Sequence, residues 1–272
     1  MIVRDSIVAG NEAWWNGGGI WSSGKMQVER SNVTGNTADY YGGGIASDMG
    51  QATVVDSTIS GNTAALGGGG VYNIMGTVSL EESNVSWNNG NDGGGILNNG
   101  EMTVSSGSIF NNNAANGGGI WNMGTMELNG ALVDNNIATG NGGGVYNSGG
   151  NLNLISSSIS NNNAENGGGV FNSYGTVNMV GGSVGHMSAF MAQRGNLVCL
   201  VRQEQDSPAR PHPVAYADGR TDLLCEVVER GERGARHRAD RTEHAFVAAF
   251  EERLCGGAGR EDAEFVGRGA GE

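Results

Sequence analysis

Five aromatic side chains, Trp21, Tyr72, Trp121, Tyr146 and Phe171, each directly follow a Gly-Gly-Gly-(Ile/Val) step. If the Ile or Val points into a core, strand alternation sends the next side chain to the opposite face. The whole column then reads Trp21, Ala46, Tyr72, Leu97, Trp121, Tyr146, Phe171. Spaced by about 4.8 Å from strand to strand, it would form an outward ladder roughly 30 Å long. A contiguous apolar face on a soluble protein marks an interaction site. Flat aromatic faces suit sugar rings or a partner protein, so these five residues are the candidate binding residues, with Trp121 and Tyr146 at the centre. The competing expectation is that the face is covered by the C-terminal tail, by a neighbouring domain or by self-association.

The ionisable residues point to less. Residues 1–186 hold 13 acids and, besides His186, only Arg4, Lys25 and Arg30 as bases. Hydrolysis or elimination on a polysaccharide needs carboxylates gathered in one groove, with a base beside them for elimination. Asp39, Asp48, Asp56 and Asp134 fall at different places in the repeat, and the adjacent Glu81 and Glu82 should face opposite ways. Asn91-Asp92-Gly93-Gly94-Gly95 contains the Asp-Gly-Gly element of a calcium loop. Yet other copies place Asn16, Tyr41, Asn116, Asn141 and Asn166 where Asp92 stands, and a calcium site needs about six to eight oxygens. The sequence therefore assigns no catalytic residue, no metal ligand and no cofactor. The acidic balance argues against nucleic acid as a partner, and no apolar run reaches the length of a membrane span.

The elements that must position the aromatic column are repeats. The apolar residue of the glycine step recurs as Ile20, Ile45, Val71, Ile96, Ile120, Val145 and Val170, at intervals of 25, 26, 25, 24, 25 and 25 residues. A fixed period of this size is the signature of a stacked repeat. Each copy has two further apolar patches. One alternates, as in Met102-Thr103-Val104 and Leu152-Asn153-Leu154. The other reads Ser-x-(Val/Ile)-x-x-Asn, with the column Val8, Val33, Ile59, Val85, Ile109, Val133, Ile159, Val184. Alternation signals strands, and the Gly and Asn clusters between them signal turns. Three strands and three turns use up the repeat and leave no room for a helix. Parallel strands need a long crossover, which one full circuit per repeat provides. The expected fold is all-β: a three-faced parallel β-helix of about seven rungs over residues 1–186. Asn36, Asn62, Asn88, Asn112, Asn136, Asn162 and the second set Asn73, Asn98, Asn122, Asn147, Asn172 should form amide ladders at its corners.

Motifs such as Gly142–Gly149 (GGGVYNSG) and Ser157–Asn172 (SSISNNNAENGGGVFN) resemble right-handed parallel β-helix repeats of bacterial surface and secreted proteins. They are similar to the GGA-(Ile/Phe)-x-x-Asn repeats of chlamydial polymorphic outer membrane proteins. The resemblance spans residues 1–186. It implies a right-handed coil, an extracellular or cell-surface location, and a non-enzymatic passenger or stalk of adhesin type, with a glycan or a host or surface protein as partner. The wider superfamily also holds carbohydrate-active enzymes, so the alternative is a polysaccharide lyase or hydrolase whose catalytic rungs are missing.

The pattern breaks near His186. Residues 187–272 carry 12 Arg, no Lys and no Ile, all three Cys (Cys199, Cys225, Cys255) and all three Pro (Pro208, Pro211, Pro213). A genuine cap and a segment that is not a native continuation are the two explanations, and the break inside a rung favours the second. The tail reads as irregular, with short helices over 221–230 and 241–254 and a loop over 203–220, and residues 1–186 are expected to fold without it. Val8 and Asn11 already match the third patch, so the chain starts inside a rung, as a fragment with a truncated N-terminus and no signal peptide would.

Overall fold

A computed structural model describes residues 1–184 and the strand Cys199–Val201. The expected helices over 221–230 and 241–254, the loop over 203–220, the autonomy of 1–186 and the nature of the tail lie outside the described residues. What is described is a parallel β-solenoid of about seven coils with no helix. One circuit is Thr125–Asn129, Leu132–Asp134, Ile137–Ala138 and Val145–Ser148. Each strand pairs in parallel with its equivalents one coil above and below, giving ladders of nine, eight, six and seven strands in that order around the coil. The register joins equivalent columns: Met126 with Leu152, Val133 with Ile159, and Ile120 with Val145.

Three of these ladders correspond to the three apolar patches. The third ladder is additional. It runs through Thr37–Ala38, Thr63–Gly67, Asn89–Asp92, Asn113–Ala114 and Ile137–Ala138, where the sequence suggests a turn. Two paired residues are too short to show alternation, but stacking supplies their hydrogen bonds. The first ladder also extends beyond 186, since Cys199–Val201 pairs in parallel with Asn178–Val180.

Inward Val, Ile, Leu and Met side chains stack into one dry core. Val28, Val54, Leu80, Val104 and Leu128 are wholly buried, as are Ile59, Val85, Ile109, Val133 and Ile159. Burial of each is worth about 1.5–3 kcal/mol against exposure. The polar cost of the tight corners is met by asparagine. From Asn36 to Asn162, each Oδ1 accepts both the backbone N–H and an Nδ2–H of the asparagine one coil earlier, beginning with Asn11, at 2.8–3.0 Å. The other amide hydrogen returns to the previous coil, as from Asn88 Nδ2 to the Ile59 carbonyl at 3.0 Å. The second set stacks likewise, Asn73 to Asn98 to Asn122 to Asn147 to Asn172, each step 2.8 Å.

Serine provides a third buried ladder. Ser57 Oγ donates to the Val55 carbonyl at 2.7 Å and accepts the Ser31 amide at 3.0 Å. It follows a left-handed corner occupied in successive coils by Asp5, Arg30, Asp56 and Glu82, with φ between 44° and 49°. Only small residues fit where coils touch. A Cβ on Gly124 would sit 2.1 Å from the Gly100 carbonyl oxygen, and one on Gly118 would sit 2.5 Å from that of Gly143. Glycine is required there by contact between backbones.

Two outcomes follow from these columns. Val145→Asp places an unpaired charge between Ile120 and Val170 and should cost at least about 3 kcal/mol in urea denaturation. Thr53→Asp, on the water-facing side of its strand beside Gln27 and Ser79, should cost under about 1 kcal/mol. Equal losses would invert the assigned faces. The second outcome concerns Ser47, which is fully buried, pairs with Asn73 and has no hydrogen-bond partner for its Oγ among the described residues. Its turn to Gly50 has the same length as that from Asn73 to Gly76, where the asparagine amide bonds both Gly76 backbone groups at 3.1 Å. Ser47→Asn should extend the ladder onto Asn73 Oδ1 and raise stability by about 1 kcal/mol. A lower urea midpoint would show that the pocket around Ser47 is too small for the amide.

Candidate binding surface

The fourth ladder carries the candidate column, and its register is as expected: Trp21 beside Ala46, then Tyr72, Leu97, Trp121, Tyr146 and Phe171. These side chains lie outside the main core. Trp121 and Tyr146 have ring centres 4.7 Å apart, and Tyr146 and Phe171 5.2 Å.

The expected exposure of the column is corrected for most of its length. Trp21 is half exposed at 50%, but Tyr72 and Phe171 retain only 9% and 8%. Trp121 and Tyr146, expected at the centre of an open face, are half-buried. Large rings one strand spacing apart cover one another, and flanking segments close the sides. Tyr41 packs on Tyr72 at 4.6 Å. Ala46, Tyr72 and Leu97 form a second small apolar cluster, with Tyr41, Ile74 and Trp121 against it. Gly67 lies so close to Leu97 that a Cβ there would stand 2.8 Å from Leu97 Cδ1. Burial raises the pKa of the Tyr72 phenol, with smaller contributions from Tyr41 and Asp48. Trp121 Nε1 is buried without a hydrogen-bond partner among the described residues.

The open aromatic surface lies elsewhere, on the segment joining the third and fourth ladders in the first two coils. Trp14 is 83% exposed and Trp15 68%, and Trp15 stacks on Tyr40 at 4.7 Å with 18° between the planes. The amides of Asp39 and Tyr40 donate to the carbonyls of Ala13 and Trp15, each at 3.0 Å, so the two segments run side by side. At the equivalent positions later coils have Ala65-Leu66 and Asn91-Asp92, both within the longer third-ladder strands, and then Ala115-Asn116. Trp14, Trp15 and Tyr40 were not among the residues singled out from sequence. The available signal was a Trp-Trp pair directly before Asn16-Gly17, outside any alternating stretch.

The charged groups are dispersed. Arg4 pairs with Glu29 at 2.6 Å and Arg30 with Asp5 at 2.7 Å. The Arg30 hydrogen bond, opposed by slight desolvation, holds the Asp5 carboxyl below its usual pKa. Asp92 closes an outer amide ladder: Asn116 Nδ2 reaches its Oδ1 at 3.4 Å, followed by Asn141 and Asn166 at 3.1 Å steps. Burial pushes the Asp92 carboxyl upward, while hydrogen bonds from Asn116 and Asn91 oppose that shift. Among the described residues no group of three or more His, Cys, Asp or Glu side chains is placed to hold a metal ion. A shallow groove of about 350 Å³ runs along the third ladder between Thr63, Ala64, Asn89, Gly90, Asn113 and Ala114, with no acid or base lining it.

Comparison with known proteins agrees with this architecture. Residues 56–74 match the Chlamydia polymorphic membrane protein repeat. That stretch contains the serine corner at Ser57, the buried Ile59, the ladder amides Asn62 and Asn73 and the glycine step before Val71. No curated protein and no solved structure matches the chain.

The difference between the two aromatic sets is measurable. Tyr72→Ala opens a cavity beside Leu97 and Tyr41 and should cost about 3 kcal/mol. Trp14→Ala removes a ring already in water and should stay within about 0.5 kcal/mol. Urea midpoints that shift equally would contradict the burial described above.

Proposed function

We propose that this chain is a non-enzymatic passenger or stalk displayed at a bacterial surface, adhesin-like, that holds an aromatic face toward a glycan or a partner protein. The observation that carries the reading is the concentration of Trp14, Trp15, Trp21 and Tyr40 at the surface of the first two coils, whereas the other exposed rings among the described residues, Trp87 and Tyr174, stand singly on separate coils. Patches of exposed aromatics on a soluble fold favour association. The repeat matched by residues 56–74 is that of a membrane protein family of Chlamydia, which supports the surface location. The coil itself supports a spacer role, because every strand is hydrogen-bonded to its neighbours and the contacts between coils repeat from end to end. The groove along the third ladder, lined by small and amide side chains, offers no acid–base pair for sugar chemistry.

Adhesion of coated beads tests this. Latex beads bearing the full chain should be retained on epithelial cells or on polysaccharide-coated plates more than albumin-coated beads. Beads bearing the chain with Trp14, Trp15 and Trp21 all changed to Ala should lose that retention. Retention no better than albumin on all surfaces would reject the adhesive reading.

A further inference from the structure

We propose that the aromatic cluster of the first two coils docks an arginine-bearing peptide segment of a partner protein. This inference rests on the reading that the exposed aromatic surface is the binding face, and it names the chemistry of the ligand.

The first support is the shape of the cluster. Trp15 and Tyr40 are stacked nearly parallel, so Trp15 is backed by a second ring and stays 68% exposed. Trp14, at 83%, and Trp21, at 50%, add two further indoles on the same coil. Indole faces carry the strongest ring quadrupole among the side chains and attract cations.

The second support is charge. Residues 1–184 contain 13 acidic and three basic side chains, 3 − 13 giving a net −10. Two of the three cations, Arg4 and Arg30, are engaged with Glu29 and Asp5. The carboxylates that belong to the aromatic segments have no cationic partner among the described residues. These are Glu12, two residues before Trp14 and paired with Thr37 on the next coil, and Asp39, which adjoins Tyr40. The hydrogen bond from the Asp39 amide to the Ala13 carbonyl places this acid on the coil next to Trp14. Rings and unpaired carboxylates thus occupy one segment of the surface.

This combination discriminates among occupants. A second copy of the coil would bring another strong negative charge to the contact. An anionic polymer or membrane would be repelled in the same way. A neutral sugar could use the rings but would gain nothing from the field. A guanidinium uses both, because it is planar, stacks on indole and donates a forked pair of hydrogen bonds to a carboxylate. Lysine offers a point charge that is more strongly hydrated, so arginine should be preferred.

Fluorescence anisotropy with the full chain can decide the matter. The probes are a labelled nine-residue peptide with three arginines spaced by Gly and Ser, the same peptide with lysines, and a labelled neutral chitin hexasaccharide, at about 0.15 M salt where exposed charges are well screened. The arginine peptide should bind at least about threefold more tightly than the lysine peptide. The double change Trp14→Ala and Trp15→Ala should weaken arginine-peptide binding by about tenfold or more. Asp39→Asn should weaken it by a smaller factor and flatten its salt dependence. Trp87→Ala, which removes another exposed tryptophan on a different coil, should leave it unchanged. Trp14→Ala alone provides the test if the double variant loses its β-type circular dichroism. Equal binding of the arginine and lysine peptides, or binding insensitive to Trp14, overturns the proposal. Hexasaccharide binding that is lost with Trp14 and Trp15, with no peptide binding, also overturns it but leaves the aromatic face standing as a glycan site. Binding of no probe, together with failed bead adhesion, removes both readings.

Discussion

The amide column from Asn11 to Asn162 is the constraint on which the other features of the coil depend. At each corner it buries a backbone N–H that no strand partner satisfies and supplies the acceptor from the next coil. A buried donor without a partner costs about 1–3 kcal/mol, so a coil lacking this side chain would open at the corner. The same bonds fix the distance between coils at that of a strand pair. That spacing makes backbones touch, so that a Cβ would approach carbonyl oxygens to 2.5 Å at Gly118 in the glycine step and to 2.1 Å at Gly124 in the turn that follows. Asparagine and glycine are therefore coupled: one sets the spacing, and the other is the residue that tolerates it.

The same spacing explains why an outward column became a buried one. Large rings on neighbouring strands cannot all present their faces to water. They tilt against each other, as Trp121, Tyr146 and Phe171 do with planes 54° and 59° apart. Tyr41 reaches across Ala46, whose small side chain leaves space beside Tyr72. The direction of a side chain relative to a sheet thus does not set its exposure. The bulk of its neighbours along the ladder does. Trp21 stays half exposed because it lies on the outermost strand of its ladder, with the small Ala46 as its one strand neighbour.

Much of the fold was legible in the sequence because its forces act in fixed columns. Period, register and core follow from the recurrence of Ile20, Ile45 and Val71, and both amide ladders from the recurrence of asparagine. The third ladder was not legible, because Thr37–Ala38 and Asn113–Ala114 are too short to carry an alternating signal. The serine ladder was visible as a motif but not as a role. Ser31, Ser57 and Ser83 recur, yet only the folded coil brings each hydroxyl to the amide of the coil before it. For the candidate surface, alternation correctly placed Trp21, Tyr72, Trp121, Tyr146 and Phe171 on one outer column. It could not predict that mutual packing would close that column, and it passed over Trp14, Trp15 and Tyr40 because they sit in a segment without periodicity.

That segment is where variation costs least. Residues in the four ladders are held by the coil above and the coil below, so a change in one must be tolerated by three. Between the third and fourth ladders the first two coils turn outward for a few residues before the glycine step, with Trp14 and Trp15, then Asp39 and Tyr40, whereas the equivalent Ala65-Leu66 and Asn91-Asp92 are drawn into longer third-ladder strands. Backbone bonds still tie this segment to the next coil, as from Tyr40 to Trp15, but the side chains are free of the core. A solenoid can therefore keep its ladders constant and alter its surface coil by coil. In this chain the first two coils use that freedom for aromatic rings and unpaired carboxylates, while later coils use it for amides that bond one another. Binding chemistry should be sought where side chains escape the ladder, or where its outermost strand leaves them open as at Trp21, because most side chains inside the ladder already have a structural partner.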